Sequence, residues 1–147
     1  MIMSQSAIEL FQRDMDVFGE ICTLIRHRVE PVIQVHLFPS AAGIRLYRWH
    51  GVRQYTPRTV SMLSRMFSDF SYSRLYSLGG PACNELHVES ITTPLFTKTQ
   101  LDKPRTRRGS FSDRVRSAIA ADSSDHTRES SFYAFVIHSH ARELIFR

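Results

Sequence analysis

Arginines and flat aromatic rings crowd one stretch of the chain: Arg45, Tyr47, Arg48, Trp49, Arg53, Tyr55, Arg58 and Arg65. A guanidinium group grips phosphate or carboxylate oxygens through paired N–H donors, and an aromatic face stacks on an unpaired base or anchors a protein interface. These residues are the predicted binding surface. Its two natural partners are an acidic or regulatory protein surface, which we take first, and RNA or DNA as the alternative.

Chemistry of the catalytic kind has fewer carriers. His138 and His140 stand two apart in an apolar run, so a strand would send both imidazoles to one face, with His36, His50 or His87 as a third ligand. That pair carries a second alternative, a small metal-dependent enzyme. Cys83 with His87 offers a thiol and a base, and Glu85 with Glu89 offers two carboxylates on one face of a predicted strand. The chain has no Gly-x-Ser-x-Gly elbow, phosphate-cradling glycine loop or Cys-x-x-Cys pair. A binding protein without cofactor is therefore the expectation, ahead of an enzyme.

Ser110 is the candidate modification site. Arg105, Arg107 and Arg108 precede it and Phe111 follows, the pattern that basophilic kinases take as substrate. A phosphate there would add about −1.5 to −2 charges among cations. The overlapping run from Lys103 to Arg108 is similar to a short nuclear-import signal, which with the absence of a signal peptide predicts an intracellular protein, cytoplasmic or nuclear.

Charge supports the binding reading. The net charge is +5, and acids dominate the first twenty residues while the basic excess gathers around 21–80. Among the 19 cationic residues only Lys98 and Lys103 are lysines. That preference suits planar, bidentate contacts. Abundant Arg, Ser and Leu also suit an overlapping frame in a compact genome, so a viral accessory protein is one expected origin. Two cysteines fit a reducing compartment better than a disulfide scaffold. No apolar run approaches the roughly 20 residues of a membrane span.

These residues need elements to position them. Ser6 and Glu9 read as a capping box that opens a long amphipathic helix running to about Val29, with Ile8, Phe11, Met15, Phe18, Cys22, Ile25 and Val29 at helical spacing. A residual apolar edge of that helix would serve a homodimer. Val32–Phe38 and Ile44–His50 read as a hairpin around a Pro-Ser-Ala-Ala-Gly turn, with Ile33, Val35 and Leu37 on one face of its first strand and Gln34 and His36 on the other. Thr56-Pro57 opens a second helix that buries Val60, Leu63, Phe67 and Phe70. Tyr72–Leu78 fits either a fraying helix or a strand, and Leu86–Ile91 reads as a strand. Phe132–His140 reads as a strand inserted beside the hairpin.

Between 101 and 131 large apolar residues thin out, which predicts a mobile Arg/Ser-rich segment with a short helix across 112–121. The length suits one domain, residues 1–147. The predicted class is α+β: a long N-terminal helix and a second helix packed on a small, mostly antiparallel sheet.

Overall fold

The computed structural model describes residues 1–5, 7–41, 54–94, 108–124 and 130–140. Strand β1 (Ile2–Gln5) lies parallel to β2 (Val32–Pro39), joined by a crossover through a 3-10 turn (Ile8–Leu10) and helix α1 (Asp14–Arg26). Parallel neighbours require such a crossover. Helix α2 (Pro57–Met66), strand β3 (Ser71–Leu78) and helix α3 (Pro81–His87) follow, α3 running on into a π-helical turn (Val88–Thr92). Helix α4 (Arg108–Ser124) and strand β4 (Phe132–Ser139) complete the described elements. The four strands stand in the order β1-β2-β4-β3, with β4 antiparallel to both its neighbours. The expected α+β class holds, with a mixed sheet.

The late strand takes the place the sequence assigned to it: β4 pairs with β2 from Val32 opposite Ser139 to Pro39 opposite Phe132. One sheet face is roofed by α1 and α2, and the core lies beneath them, built from Phe18, Cys22, Val60, Leu63 and Phe67 over Phe38, Tyr55, Phe135 and Ile137. The start of α2 is as predicted. Thr56 accepts a hydrogen bond from the Thr59 N–H at 3.1 Å and Pro57 occupies the first turn, where its missing N–H costs nothing.

Three expectations are corrected. The N-terminal helix is 13 residues long and starts at Asp14, because Ile2–Gln5 is taken by a strand and Phe11 adopts extended backbone (φ −79°, ψ 134°). Asp14 fixes the new start: its Oδ1 accepts from the Met15 N–H at 2.9 Å and its Oδ2 from the Tyr55 hydroxyl at 2.7 Å. Of the predicted stripe, Ile8, Phe18, Cys22 and Ile25 are buried, whereas Phe11 and Val29 are exposed.

The hairpin is the second correction. The centre of β2 has both edges occupied, by β1 over 34–37 and by β4 over the whole strand, so no second hairpin strand pairs there. The stretch expected to supply it, 44–50, lies outside the described residues. Third, Leu86–Ile91 is helical rather than extended. Pro81 starts α3, and the Asp122 carboxylate of α4 accepts from the Ala82 and Cys83 N–H groups, each at 2.9 Å, so the helix start is satisfied from outside. The Arg/Ser-rich segment in turn holds α4, 17 residues long where a shorter helix was predicted.

Candidate partner-binding face

The predicted binding residues separate. Arg45, Tyr47, Arg48, Trp49 and Arg53 lie outside the described residues. Tyr55 is a core residue, fully buried, stacked on Phe38 at 4.0 Å and bonded to Asp14, which removes it from any binding surface. Arg58 and Arg65 are exposed on α2, two turns apart on one helix face with exposed Met62 between them. Neither makes an ion pair among the described residues, unlike Arg13, Arg26, Arg114 and Arg116, which pair with Asp16, Asp69, Glu89 and Asp113.

The sheet has a second face, and β2 arranges it in an unusual way. Gln34 and His36 point under the helices and are fully buried, while Ile33, Val35 and Leu37 point away from them. A strand that buries its polar side and turns its aliphatic side outward is informative in a way that a lone exposed leucine is not. Buried Gln34 and His36 satisfy much of their polarity together: His36 Nε2 meets the Gln34 side-chain oxygen at 3.2 Å and Nδ1 meets the Ser4 hydroxyl at 2.8 Å. Burial pushes the His36 ring down to about 4, so it is neutral in the folded chain at neutral pH.

Register extends the outward face across the sheet. Cross-strand partners share a face, so Met3 of β1 stands beside Val35, His138 and Val136 of β4 beside Ile33 and Val35, and Tyr72, Arg74, Tyr76 and Leu78 of β3 beside His138, Val136, Ala134 and Phe132. Met3 is 62% exposed, Tyr72 56%, Tyr76 54%, Ile33 44% and Leu78 42%. Arg74 is exposed and without an ion pair among the described residues. The Tyr72 hydroxyl meets His138 Nδ1 at 2.8 Å, with the ring edge-on to the imidazole at 5.2 Å, which holds both on the face. The result is an apolar floor with a Tyr72-Arg74-Tyr76 row along one side. The alternation in Tyr-Ser-Arg-Leu-Tyr was present in the sequence and becomes a signal once 72–78 is a strand.

The histidine pair does not share a face. His140 takes a positive φ of 52°, which ends the alternation after Ser139. Its ring stacks on Phe70 at 5.2 Å, and its Nε2 donates to the Ile25 carbonyl at 3.0 Å, on the helix side of the sheet, opposite to His138. Among the described residues no group of three or more His, Cys, Asp or Glu side chains is gathered as a metal site. His50 lies outside the described residues.

The thiol and carboxylate candidates sit on α3 and its π-helical extension. Cys83 is pushed up to about 11, first by burial and then by its hydrogen bond to Asp122, so it is a protonated thiol and a poor nucleophile. Burial would raise Asp122, but the hydrogen bonds from the Cys83 thiol and the N–H groups of Cys83, Ala82 and Gly80 outweigh it and hold the carboxyl below its ordinary range. Glu85 and Glu89 line a shallow groove between α3 and α4, and Glu89 pairs with Arg114 at 2.5 Å. Ser110 is exposed in the first turn of α4, on the rim of that groove. Among the described residues no helix is long and apolar enough to cross a membrane.

No family model matches the chain, and neither the curated proteins nor the solved structures compared with it give a match.

Proposed function

We propose that the protein is a non-enzymatic regulatory binding module whose partner is another protein, seated on the sheet face that α1 and α2 leave open. The observation that carries this reading is the inverted alternation of β2, which spends Ile33, Val35 and Leu37 outward and keeps Gln34 and His36 in the core. A contiguous apolar patch rimmed by polar groups is the signature of an interaction surface. Tyrosine and arginine are the side chains that most often anchor such interfaces, and Tyr72, Arg74 and Tyr76 stand in line at its border.

Chemistry favours protein over nucleic acid on this face. A strand of RNA or DNA needs several cations to meet its phosphates, and among the described residues the face offers Arg74 with His138 beside an aliphatic floor. An acidic side chain of a protein partner would engage Arg74 while apolar residues cover Ile33 and Val35. Arg58 and Arg65 on α2, exposed and without an ion pair among the described residues, support a nucleic-acid reading instead, on the opposite layer. Both cysteines are free, which suits action in a reducing, intracellular compartment.

The test is affinity capture from nuclease-treated lysate with the wild-type chain and with Tyr76→Ala and Arg74→Glu variants, each checked for an unchanged circular dichroism spectrum. The reading requires a defined protein that survives nuclease and binds each variant about tenfold or more weakly. Capture that nuclease abolishes, or that both variants retain in full, overturns it.

A further inference from the structure

Strand β3 is the last strand of the described sheet, and its outer edge, unpaired among the described residues, has the pattern of a self-pairing surface. The His140 N–H donates to the Phe70 carbonyl at 2.9 Å, one step beyond the pair of Tyr72 with His138. In an antiparallel ladder, hydrogen-bonded and non-bonded pairs alternate. Tyr72, Arg74, Tyr76 and Leu78 therefore aim their backbone groups at β4, and Ser71, Ser73, Leu75 and Ser77 aim theirs at the open edge. The edge strand is 8 residues long, and its sequence, Ser-Tyr-Ser-Arg-Leu-Tyr-Ser-Leu, contains neither the proline nor the lysine with which exposed edges are commonly blunted.

We propose that this edge pairs with the same edge of a second copy of the chain, antiparallel about a two-fold axis through Leu75. The proposal stands on backbone geometry; it shares Arg74 and Tyr76 with the proposed partner face, so its test is read at Leu75, which lies on the opposite, helix-bearing side of the sheet. A two-fold perpendicular to the sheet keeps like faces together, so only registers that pair odd with odd and even with even residues are allowed. Centred on Leu75, the register is self-complementary. Leu75 packs on its symmetry mate in a hydrogen-bonded pair, Ser73 meets Ser77, Arg74 lies beside the ring of Tyr76, and Tyr72 lies beside Leu78.

The neighbouring registers are worse. Centred on Arg74, two guanidinium groups face each other at the closest kind of strand pair, a like-charge contact that destabilises. Centred on Tyr76, the overlap shrinks to the last residues of the strand. Space also permits the Leu75 register: α2 reaches the edge strand at Ser73, whose hydroxyl meets that of Ser64 at 2.7 Å, but Leu75 is 41% exposed and Ser77 is exposed on the same side, so among the described residues the helix cover stops short of the proposed axis. Pairing would cover Leu75, place the cation of Arg74 against an aromatic ring, and join two open faces into one continuous sheet.

The experiment is sedimentation equilibrium of the full chain at micromolar concentration, with Leu75→Lys and Leu75→Pro as dissociating variants and Leu75→Cys as a cross-linking one. The Leu75 N–H points outward, so proline removes an edge donor and leaves the β4 ladder intact, and circular dichroism identifies any variant that fails to fold. The expected result is twice the 17.0 kDa chain mass for wild type, the single mass for folded Leu75→Lys or Leu75→Pro, and a disulfide-linked dimer of Leu75→Cys under mild oxidation. A monomeric wild type overturns the proposal. So does a dimer that survives both dissociating variants, which would place the contact elsewhere, such as at exposed Leu24 of α1.

Discussion

The Tyr55 hydroxyl donates to Asp14 Oδ2 at 2.7 Å, joining two fully buried side chains 41 positions apart in the chain. The bond links the first residue of α1 to the residue that leads into α2. Tyr55 also bridges backbone to the end of β2: its N–H donates to the Pro39 carbonyl at 3.2 Å and its carbonyl accepts from the Ala41 N–H at 3.1 Å. The two roofing helices are thus tied to each other and to the central strand at one point.

Tyr55→Phe removes that hydroxyl and takes one hydrogen bond from the buried Asp14 carboxylate. The expected cost is about 1–3 kcal/mol, the range for losing a hydrogen bond to a charged group. Urea denaturation of the two proteins measures it. Binding through the sheet face should be unchanged at temperatures where the variant is folded, and a variant as stable as wild type would mean that Asp14 is satisfied without Tyr55.

His36 gives the stability a pH dependence of known sign. Burial lowers its pKa from the ordinary 6.5 to about 4 in the folded chain, so the unfolded chain takes up a proton first as pH falls. Its contribution is fully present above about pH 6.5, declines as pH falls toward 4, and is constant below that. The expected loss is on the order of 3 kcal/mol. Unfolding free energies from urea titrations at pH 7.5, 5.5 and 4 should fall by about 3 kcal/mol more for wild type than for His36→Gln across this range. Equal falls would show that the ring relaxes toward solvent when it is protonated.

How much of this was legible in the sequence depends on the distance of the partner. The start of α2 was readable because Thr56 and Pro57 act on their own turn. Strands β2 and β4 were readable because their β-branched and aromatic residues are dense. The start of α1 was not: Ser6 and Glu9 have the spacing of a capping box, yet the helix begins where Tyr55 can reach Asp14. Tyr55 was misassigned to the binding surface for the same reason, since a tyrosine among arginines looks alike in sequence whether its hydroxyl meets solvent or a buried aspartate. Alternation in β2 divided its residues correctly into two faces. Which face is roofed was settled by α1 and α2, and they chose the one with Gln34 and His36.

Asp122 holds α3 from a distance of 40 positions, and Cys83 reports on it. Asp122→Ala removes the acceptor for two N–H groups at the start of α3, with an expected loss of about 1–2 kcal/mol, comparable to a helix cap. The same change removes one of the influences that raise the Cys83 thiol, so alkylation by iodoacetamide should run faster in the variant than in wild type. Mass spectrometry after timed quenching follows Cys83 separately from buried Cys22. An unchanged rate would assign the raised pKa to burial alone.

Ser110 stands four residues before Arg114 on α4, the spacing at which helix side chains meet, and Arg114 is engaged by Glu89. A phosphate on Ser110 would carry more charge than the glutamate and lie near the start of the helix, where negative charge is favoured. A basophilic kinase should therefore install one phosphate on the wild-type chain and none on Ser110→Ala. Arg114 should then exchange partners. Glu89→Gln is expected to lower the melting temperature of the unmodified chain slightly, since an exposed ion pair contributes about 0–1 kcal/mol, and to leave the phosphorylated chain unchanged. Equal effects of Glu89→Gln with and without phosphate would show that Arg114 stays with Glu89.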